Sequence, residues 1–570
     1  MFGIRLGKFK KNTDTTSEGN APRVVILGGG HGGVYAALEL QTAAKRGEIE
    51  LSLISRDNFF LFHPLLAEVI SGSIEPLHVV NPIRRLITSA NFLQAEIEGI
   101  HVDSQNVTIR YPGYPHNHHI PYDQLVIAVG RSTDLSALPG VAEHALPFKT
   151  LGDAFTLRNH IIRMLEAAEV EEDPDMKREM LTFVVAGGGY TGVEAVAEIN
   201  AFVKEASKDY RHVTADEVRG ILLHGESRIL PELSEKLAVF SHRLMERRGI
   251  EIRLNTLLKS ATAERAILDD DTAIPTRTLV AAVGSAPARL LDSISSERDR
   301  RGRLVVDETL AVPGQRGIWA VGDAAAVPDI LKGGTAPPTA QYALREAKRA
   351  ARNILATIRG ESPRSFSYRN RGVFVPLSRY SAATEAFGLK LSGFLAWWLY
   401  RTYNLYQLPR LERKLRVVTD WTLDLVFPGD IVYTDISRSQ GMTKAHYEAG
   451  ASVYHQGELA RNFYIILSGE VEVVREQDGE ETGVATLGVG EYFGEISLLQ
   501  GDLHTASVRA LTSVDVLVMS GADFTALASS SSRFGELLNG VMRQRLAASS
   551  TNGSQAHDTE GSDSVSADGP

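Results

Sequence analysis

Six glycines stand at one repeated spacing. Gly28, Gly30 and Gly33 lie in RVVILGGGHGGVYAALEL (23–40), and Gly187, Gly189 and Gly192 lie in FVVAGGGYTGVEAVAEI (183–199). The G-x-G-x-x-G spacing suits a diphosphate. The first glycine turns the chain, the second lets backbone N–H groups approach the phosphates, and the third lets helix and strand pack closely. A helix starting there adds partial positive charge at its N-terminus. The second cluster also carries an acid, Glu194, where the first has Tyr35. An acid in the first turn of a helix suits its dipole. Yet the first loop has Val34–Tyr35 at the same place, so the loop itself does not demand one.

These residues need strands to present them. Each cluster follows a short apolar run of buried-strand type and precedes an apolar pattern of helical period. LVIAVG (Leu125–Gly130) and TLVAAVG (Thr278–Gly284) read as strands that end in glycine and close each unit, and GIWAVGDAAAV (Gly317–Val327) as a further strand turning on glycine beside Asp323. The second strand of a dinucleotide unit usually ends in an acid that accepts from the ribose hydroxyls. Here Ser55 holds that place, followed by Arg56 and Asp57, and in the second unit His224 does, with Glu226 two residues on and Arg228 able to meet a 2′-phosphate. The choice between NADH and NADPH is therefore open, with NADH the default and Glu226 its ribose candidate. Two dinucleotide sites in one chain point to a flavoprotein that also binds a nicotinamide.

Composition sets the bounds. With 570 residues, 43% of them hydrophobic, the chain is long enough for three or four soluble domains. A net charge of −10 argues against nucleic acid as a partner. The absence of cysteine removes disulfides, thiolate metal sites and redox cysteine pairs, and no metal site is expected. The first twenty residues lack the apolar core of a signal peptide, so a cytoplasmic protein is expected. No apolar run approaches the roughly 20 residues that span a bilayer.

The glycine loops and the Asp323 segment, with RDNFFLFHPLLAEVISGSIEP (56–76), RILPELSEKL (228–237) and PPTAQYALREAKRAARNI (337–354), resemble type II NADH:quinone oxidoreductase over roughly residues 21–425. This is a cysteine-free branch of the two-dinucleotide-domain flavoproteins. The resemblance implies an α/β fold with two Rossmann-like domains: a discontinuous FAD domain (21–148 and 315–385) and an NAD(P)H domain (149–314). By it, Gly28, Gly30, Gly33, Gly130 and Asp323 hold FAD, and Gly187, Gly189, Gly192, Gly284 and Glu226 hold NADH. Glu194 then lies near nicotinamide and flavin, a polar group at the redox centre. Gln341 falls near the flavin ring as a catalytic and quinone-site residue. Arg345 stands where the family often has a second glutamine, as a steering charge or a solvated helix face. The implied reaction passes electrons from NADH through FAD to a membrane quinone without proton pumping. The rival readings are a soluble reductase with a protein acceptor and a redox sensor with little turnover. A homodimer is implied by the family alone.

Residues 386–435 read as a membrane-association segment. LKLSGFLAWWLYRTYNLYQLPRLERKLRVV (389–418) clusters tryptophan, tyrosine and leucine, with basic residues outnumbering acids six to one. That mix suits peripheral contact with anionic lipid, and places the protein on the inner face of the cell membrane. The alternative is a buried helix pair under the flavin domain. From 436 to 548, short alternating strands with glycine turns read as an antiparallel jelly roll. This stretch resembles the cyclic-nucleotide-binding domain, with GEYFGEISLL (490–499) as its phosphate cassette. The resemblance places Gly494 at the cyclic phosphate and Glu495 at the ribose. His504 fills the slot of the phosphate-binding arginine, and histidine cannot make arginine's paired bonds. A cyclic nucleotide partner and a regulatory role therefore stay open. Residues 1–20 and 549–570 read as disordered tails.

Overall fold

The computed structural model describes residues 21–524, apart from 112–115, 136, 232, 370–371, 387–388, 428, 434–442, 459, 461, 478–479, 501–502 and 522–523. The expected disordered tails lie outside the described residues, as do residues 525–548, whose sequence reads as the helices that close the C-terminal domain.

The apolar runs become parallel strands buried on both faces, as runs without alternation should. The first sheet has the order Ile318–Ala320, Gln124–Ile127, Arg23–Leu27, Glu50–Ser55, Asn91–Gln94, all parallel. The second repeats the plan with Leu146–Pro147, Thr278–Ala281, Thr182–Ala186, Arg219–His224 and Ile250–Leu254. In both, the glycine loop leaves the central strand at the point where strand order reverses, the crevice where ligands of such sheets sit.

Gly130 and Gly284, both at positive φ, lead from these sheets into one antiparallel ladder, Arg131–Thr133 against Ser285–Pro287. The ladder ties the two units together beside both loops. The Ala340–Ile358 helix lies along the His31–Lys45 helix of the first loop. Buried alanines on both, including Ala36, Ala37, Ala347, Ala350 and Ala351, leave room for close approach.

A three-stranded antiparallel sheet follows (Gly372–Ser378, Ser381–Ala386, Leu389–Gly393), then two helices, Phe394–Gln407 and Leu411–Asp424. Among the described residues, no helix is long and apolar enough to cross a membrane. The C-terminal unit packs two four-stranded antiparallel sheets around Ile466, Val471, Val508, Val514 and Val516, as its alternating pattern predicts. It touches the part built on the two parallel sheets at the short helix Val141–His144. There His144 Nε2 lies 2.9 Å from the His446 carbonyl oxygen, and the His144 ring meets Tyr447 edge-on.

Candidate active site and nucleotide cradles

Sterics explain each loop glycine differently. Gly28 sits at φ +106°, and a Cβ there would lie 2.3 Å from the Ala128 carbonyl oxygen. A Cβ on Gly33 would lie 1.8 Å from the Gly28 oxygen, and one on Gly192 would lie 1.8 Å from the Gly187 oxygen. A Cβ on Gly30 or Gly189 would meet nothing within 4 Å. Those two residues start the His31–Lys45 and Tyr190–Ala206 helices, and neither helix has a side-chain cap. Each loop thus leaves helix N–H groups facing a hollow, an arrangement that fits a diphosphate.

The ribose positions turn toward the loops. Ser55 Oγ lies where a Cβ on Gly29 would come within 2.5 Å of it. Gly188 N–H donates to His224 Nδ1 at 3.1 Å, which places the ring proton on Nε2, a buried atom without a partner. Glu226 is exposed on the following bend, and Arg228 donates to the Pro231 carbonyl at 2.8 Å.

Around Asp323 the fold gathers charges that no motif announced. Burial pushes the Asp323 carboxyl up, and Lys149, Arg131 and Arg303 pull it back. Lys149 comes from the junction of the two units and reaches the Arg131 carbonyl. Glu346, one residue beyond Arg345, accepts from Gly322 N–H at 2.8 Å, and burial raises its pKa to about 7. His31 in the first loop is buried edge-on to Phe60, with its pKa lowered to about 3 by burial and by His63; its Nε2 has no partner.

Glu194 is the fifth residue of its helix, whose first turn holds no acid, so the helix-cap reading of this residue fails. It is half-buried, and its pKa rises to about 8 through burial, then Glu198, then Glu68. Its helix packs on the strand Gly372–Ser378. Gln341 reaches the same strand, its Nε2 donating to the Gly372 carbonyl at 3.4 Å, while Tyr368 Oη donates to Gln341 Oε1 at 3.3 Å. The fold therefore brings Gln341 and the helix that carries Glu194 to one strand. Arg345 is no freely solvated side chain. Its guanidinium stacks on Tyr368 at 4.3 Å and donates to the Gln341 backbone carbonyl at 3.0 Å.

The two helices of the aromatic segment are divided. Trp397, Tyr400, Arg401, Val417, Trp421 and Asp424 face inward, while Phe394, Leu395, Trp398, Tyr406, Leu411 and Leu415 face outward. Inside, Arg401 lies between Trp397 (4.1 Å) and Trp421 (4.6 Å) and donates to Glu68 Oε2 at 2.9 Å. Trp421 Nε1 donates to the same oxygen at 2.7 Å. Sequence reasoning missed this cluster because its acid, Glu68, lies more than three hundred residues from Arg401 and Trp421.

In the C-terminal unit Gly494 sits at φ +89°, Glu495 is 1% exposed, and His504 is 5% exposed. The His504 ring stacks on Tyr454 with centroids 3.6 Å apart and planes at 9°, and burial lowers its pKa. The histidine is thus a neutral member of an aromatic pile.

Comparison with known proteins agrees with this architecture. Residues 22–347 match the pyridine nucleotide-disulphide oxidoreductase family, and residues 444–531 match the cyclic nucleotide-binding domain. The chain is 30% identical over 453 residues to the type II NADH:quinone oxidoreductase Ndh of Mycobacterium tuberculosis, covering 77% of this chain and 96% of that one. It is 31% identical to a probable NADH dehydrogenase of Dictyostelium discoideum, covering 72% and 90%. Among solved structures, NDH2 from Plasmodium falciparum in complex with NADH shares the fold, with a TM-score of 0.67 at 20% identity, covering 72% of this chain and 99% of that chain.

Proposed function

This chain belongs to the type II NADH:quinone oxidoreductases, and from that premise we propose how its own residues run the reaction. It is a flavoprotein enzyme that takes electrons from NADH and delivers them to a quinone, with FAD and NADH as its cofactors. The pair of hollow, uncapped helix starts at Gly30 and Gly189 supports two dinucleotides in one chain.

In our reading, the first loop, Gly130 and Asp323 hold FAD, with Lys149 and Arg131 balancing its phosphates. The second loop, Gly284 and Glu226 hold NADH. FAD supplies the electron relay that no side chain offers. The protein's part is position and protons. Glu194, protonated at neutral pH, stays a hydrogen-bond donor at the nicotinamide side and can release a proton from its carboxyl to a quinone oxygen. Gln341, steadied by Tyr368 and Gly372, presents its amide to a quinone carbonyl, and the Arg345–Tyr368 stack walls that mouth.

The outward face of Phe394, Leu395, Trp398, Leu411 and Leu415, with Lys390, Arg410 and Lys414 nearby, is proposed to rest on anionic lipid at the inner face of the cell membrane. The quinone then arrives from lipid and NADH from water. We propose a homodimer, with residues 436–548 as a regulatory unit acting through the contact of His144 with His446 and Tyr447. With His504 stacked and neutral, we favour a signal other than a cyclic phosphate.

Anaerobic mixing with NADH, then with a short-chain quinone, tests the assignment through the flavin absorbance. Fast bleaching and fast recovery are expected. Bleaching without recovery would refute the quinone, and no bleaching would refute NADH as donor.

A further inference from the structure

The reaction NADH + H⁺ + quinone → NAD⁺ + quinol draws one proton from water, and the chain has to supply it at the quinone. On the face of the Tyr190–Ala206 helix that carries Glu194, Glu198 lies one turn further on. Residues four apart on a helix are neighbours, with Cβ atoms about 6 Å apart. Glu198 is 7% exposed.

The Ser71 hydroxyl, in the turn after the short helix Ala67–Ile70, acts on the Glu198 carboxyl and favours its charged form, and it also donates to the Glu68 backbone carbonyl at 3.2 Å. Ser71 Oγ lies 3.0 Å from Ser73 Oγ, and Ser73 Oγ donates to Asp424 Oδ1 at 3.2 Å. Arg379 holds the same Asp424 oxygen at 2.9 Å, and Arg401 Nη2 lies 3.9 Å from its Oδ2. The Ser71 and Ser73 hydroxyls thus stand in line between Glu198 and Asp424. Ser71 is half-buried and the next residue, Gly72, is exposed, which brings solvent to the second link of the chain.

We propose that Glu198 is a proton-feeding residue, taking a proton from solvent at Ser71 and passing it to Glu194 after Glu194 has protonated the quinone. In each cycle the Glu194 carboxyl O–H breaks and a quinol O–H forms. Glu198 then gives its proton to the Glu194 carboxylate and regains one from water through Ser71. The proposal rests on the placement of Glu194 in the functional reading above.

The groups facing Glu198 favour a carboxyl that holds a proton near neutrality. Glu68 pushes its affinity up most after burial, Asp424 adds to that, and Arg401 opposes it. Tyr400 and Arg248 also face it. Arg158, from the helix Leu151–Val170, turns instead to the carbonyls of Ile70 and Asp430. Burial raises both carboxyls, Glu198 to about 7 and Glu194 to about 8, so each can hold and release a proton near neutrality.

The test compares the holoenzyme with Glu198→Gln, Glu198→Asp and Ser71→Ala by anaerobic rapid mixing between about pH 6 and pH 9, in H₂O and D₂O. Bleaching by NADH consumes no solvent proton and serves as the internal control. In Glu198→Gln, recovery with quinone is expected to slow roughly tenfold or more, with a larger solvent isotope effect, and Glu198→Asp to restore part of the rate. Ser71→Ala should slow recovery while keeping both carboxyls. Independently of turnover, the infrared carbonyl stretch of protonated carboxyl groups in the oxidised holoenzyme should lose a component that titrates near neutrality in Glu198→Gln. Unchanged pH dependence and isotope effect overturn the relay, as does a rate loss uniform in pH with no isotope change. A wild-type protein that bleaches but is never reoxidised by quinone overturns the functional reading and the relay with it. Wild-type recovery with an unaffected Glu198→Gln overturns the relay alone.

Discussion

Replacing Glu198 by glutamine should change the way stability depends on pH, and the size follows from burial. The Glu198 carboxyl rises from 4.5 to about 7 in the folded protein, chiefly through burial and then Glu68. Between those values the folded state keeps its proton while the unfolded chain has released it. The unfolded state therefore binds fewer protons, and stability falls as pH rises through that window. Each unit of difference is worth about 1.4 kcal/mol. Integrated from pH 5 to pH 8, the wild type loses about 2.5 kcal/mol through this one group, and glutamine loses none of it. The stability of Glu198→Gln relative to wild type should thus climb by about 2.5 kcal/mol over that interval, which is a few degrees in melting temperature for a unit of this size. Thermal unfolding of both holoenzymes at several pH values, followed by release of flavin fluorescence, measures it. Melting curves that stay parallel from acid to alkaline pH would refute the reasoning, because Glu198 would then ionise as it does in water.

Further outcomes follow from the same geometry. Gly30→Ala should fold, since its backbone is extended at φ −82° and its Cβ meets nothing within 4 Å, yet lose FAD. Gly33→Ala should fail to fold, with its Cβ 1.8 Å from the Gly28 oxygen; soluble yield and flavin content separate the two. Arg401→Met should cost about 3 kcal/mol near neutral pH by removing the cation from the buried Glu68 carboxylate and leaving it only Trp421 as a donor. That loss should shrink in acid as Glu68 takes a proton, which melting at two pH values would show. Cyclic AMP and cyclic GMP should leave the melting of the wild type unmoved, whereas His504→Arg should gain a stabilising shift with one of them, because arginine supplies the paired donors a phosphate needs.

Much of this protein was legible along the chain. The glycine spacings announce both cradles because a tight turn, a close backbone approach and a helix start depend on residues within about six positions of one another. The alternating strands after residue 443 announce the jelly roll for a similar reason, since the side-chain period of a strand is local. The aromatic segment was legible only by half. Its composition gave an amphipathic pair of helices, and tertiary packing chose which aromatics turn inward: Trp397 and Trp421 close on Arg401, while Trp398 and Phe394 face out.

Other features belong to the tertiary structure alone. Glu194 read in sequence as a polar group at the redox centre, with a helix cap as the alternative, and the helix start at Tyr190 places it beyond the first turn and removes the cap. Arg345 read in sequence as a steering charge or a solvated face, and its stack on Tyr368 rules out the freely solvated side chain. Lys149 and Arg131 bear no motif, yet they stand by Asp323. Glu68, Ser71, Glu198, Arg401 and Asp424 form one largely buried network from three stretches of the chain far apart in sequence. Backbone conformation is settled by neighbours in the chain. The charge state of a carboxyl is settled by desolvation and by Coulomb interactions that depend on distance in space, and folding alone sets those distances.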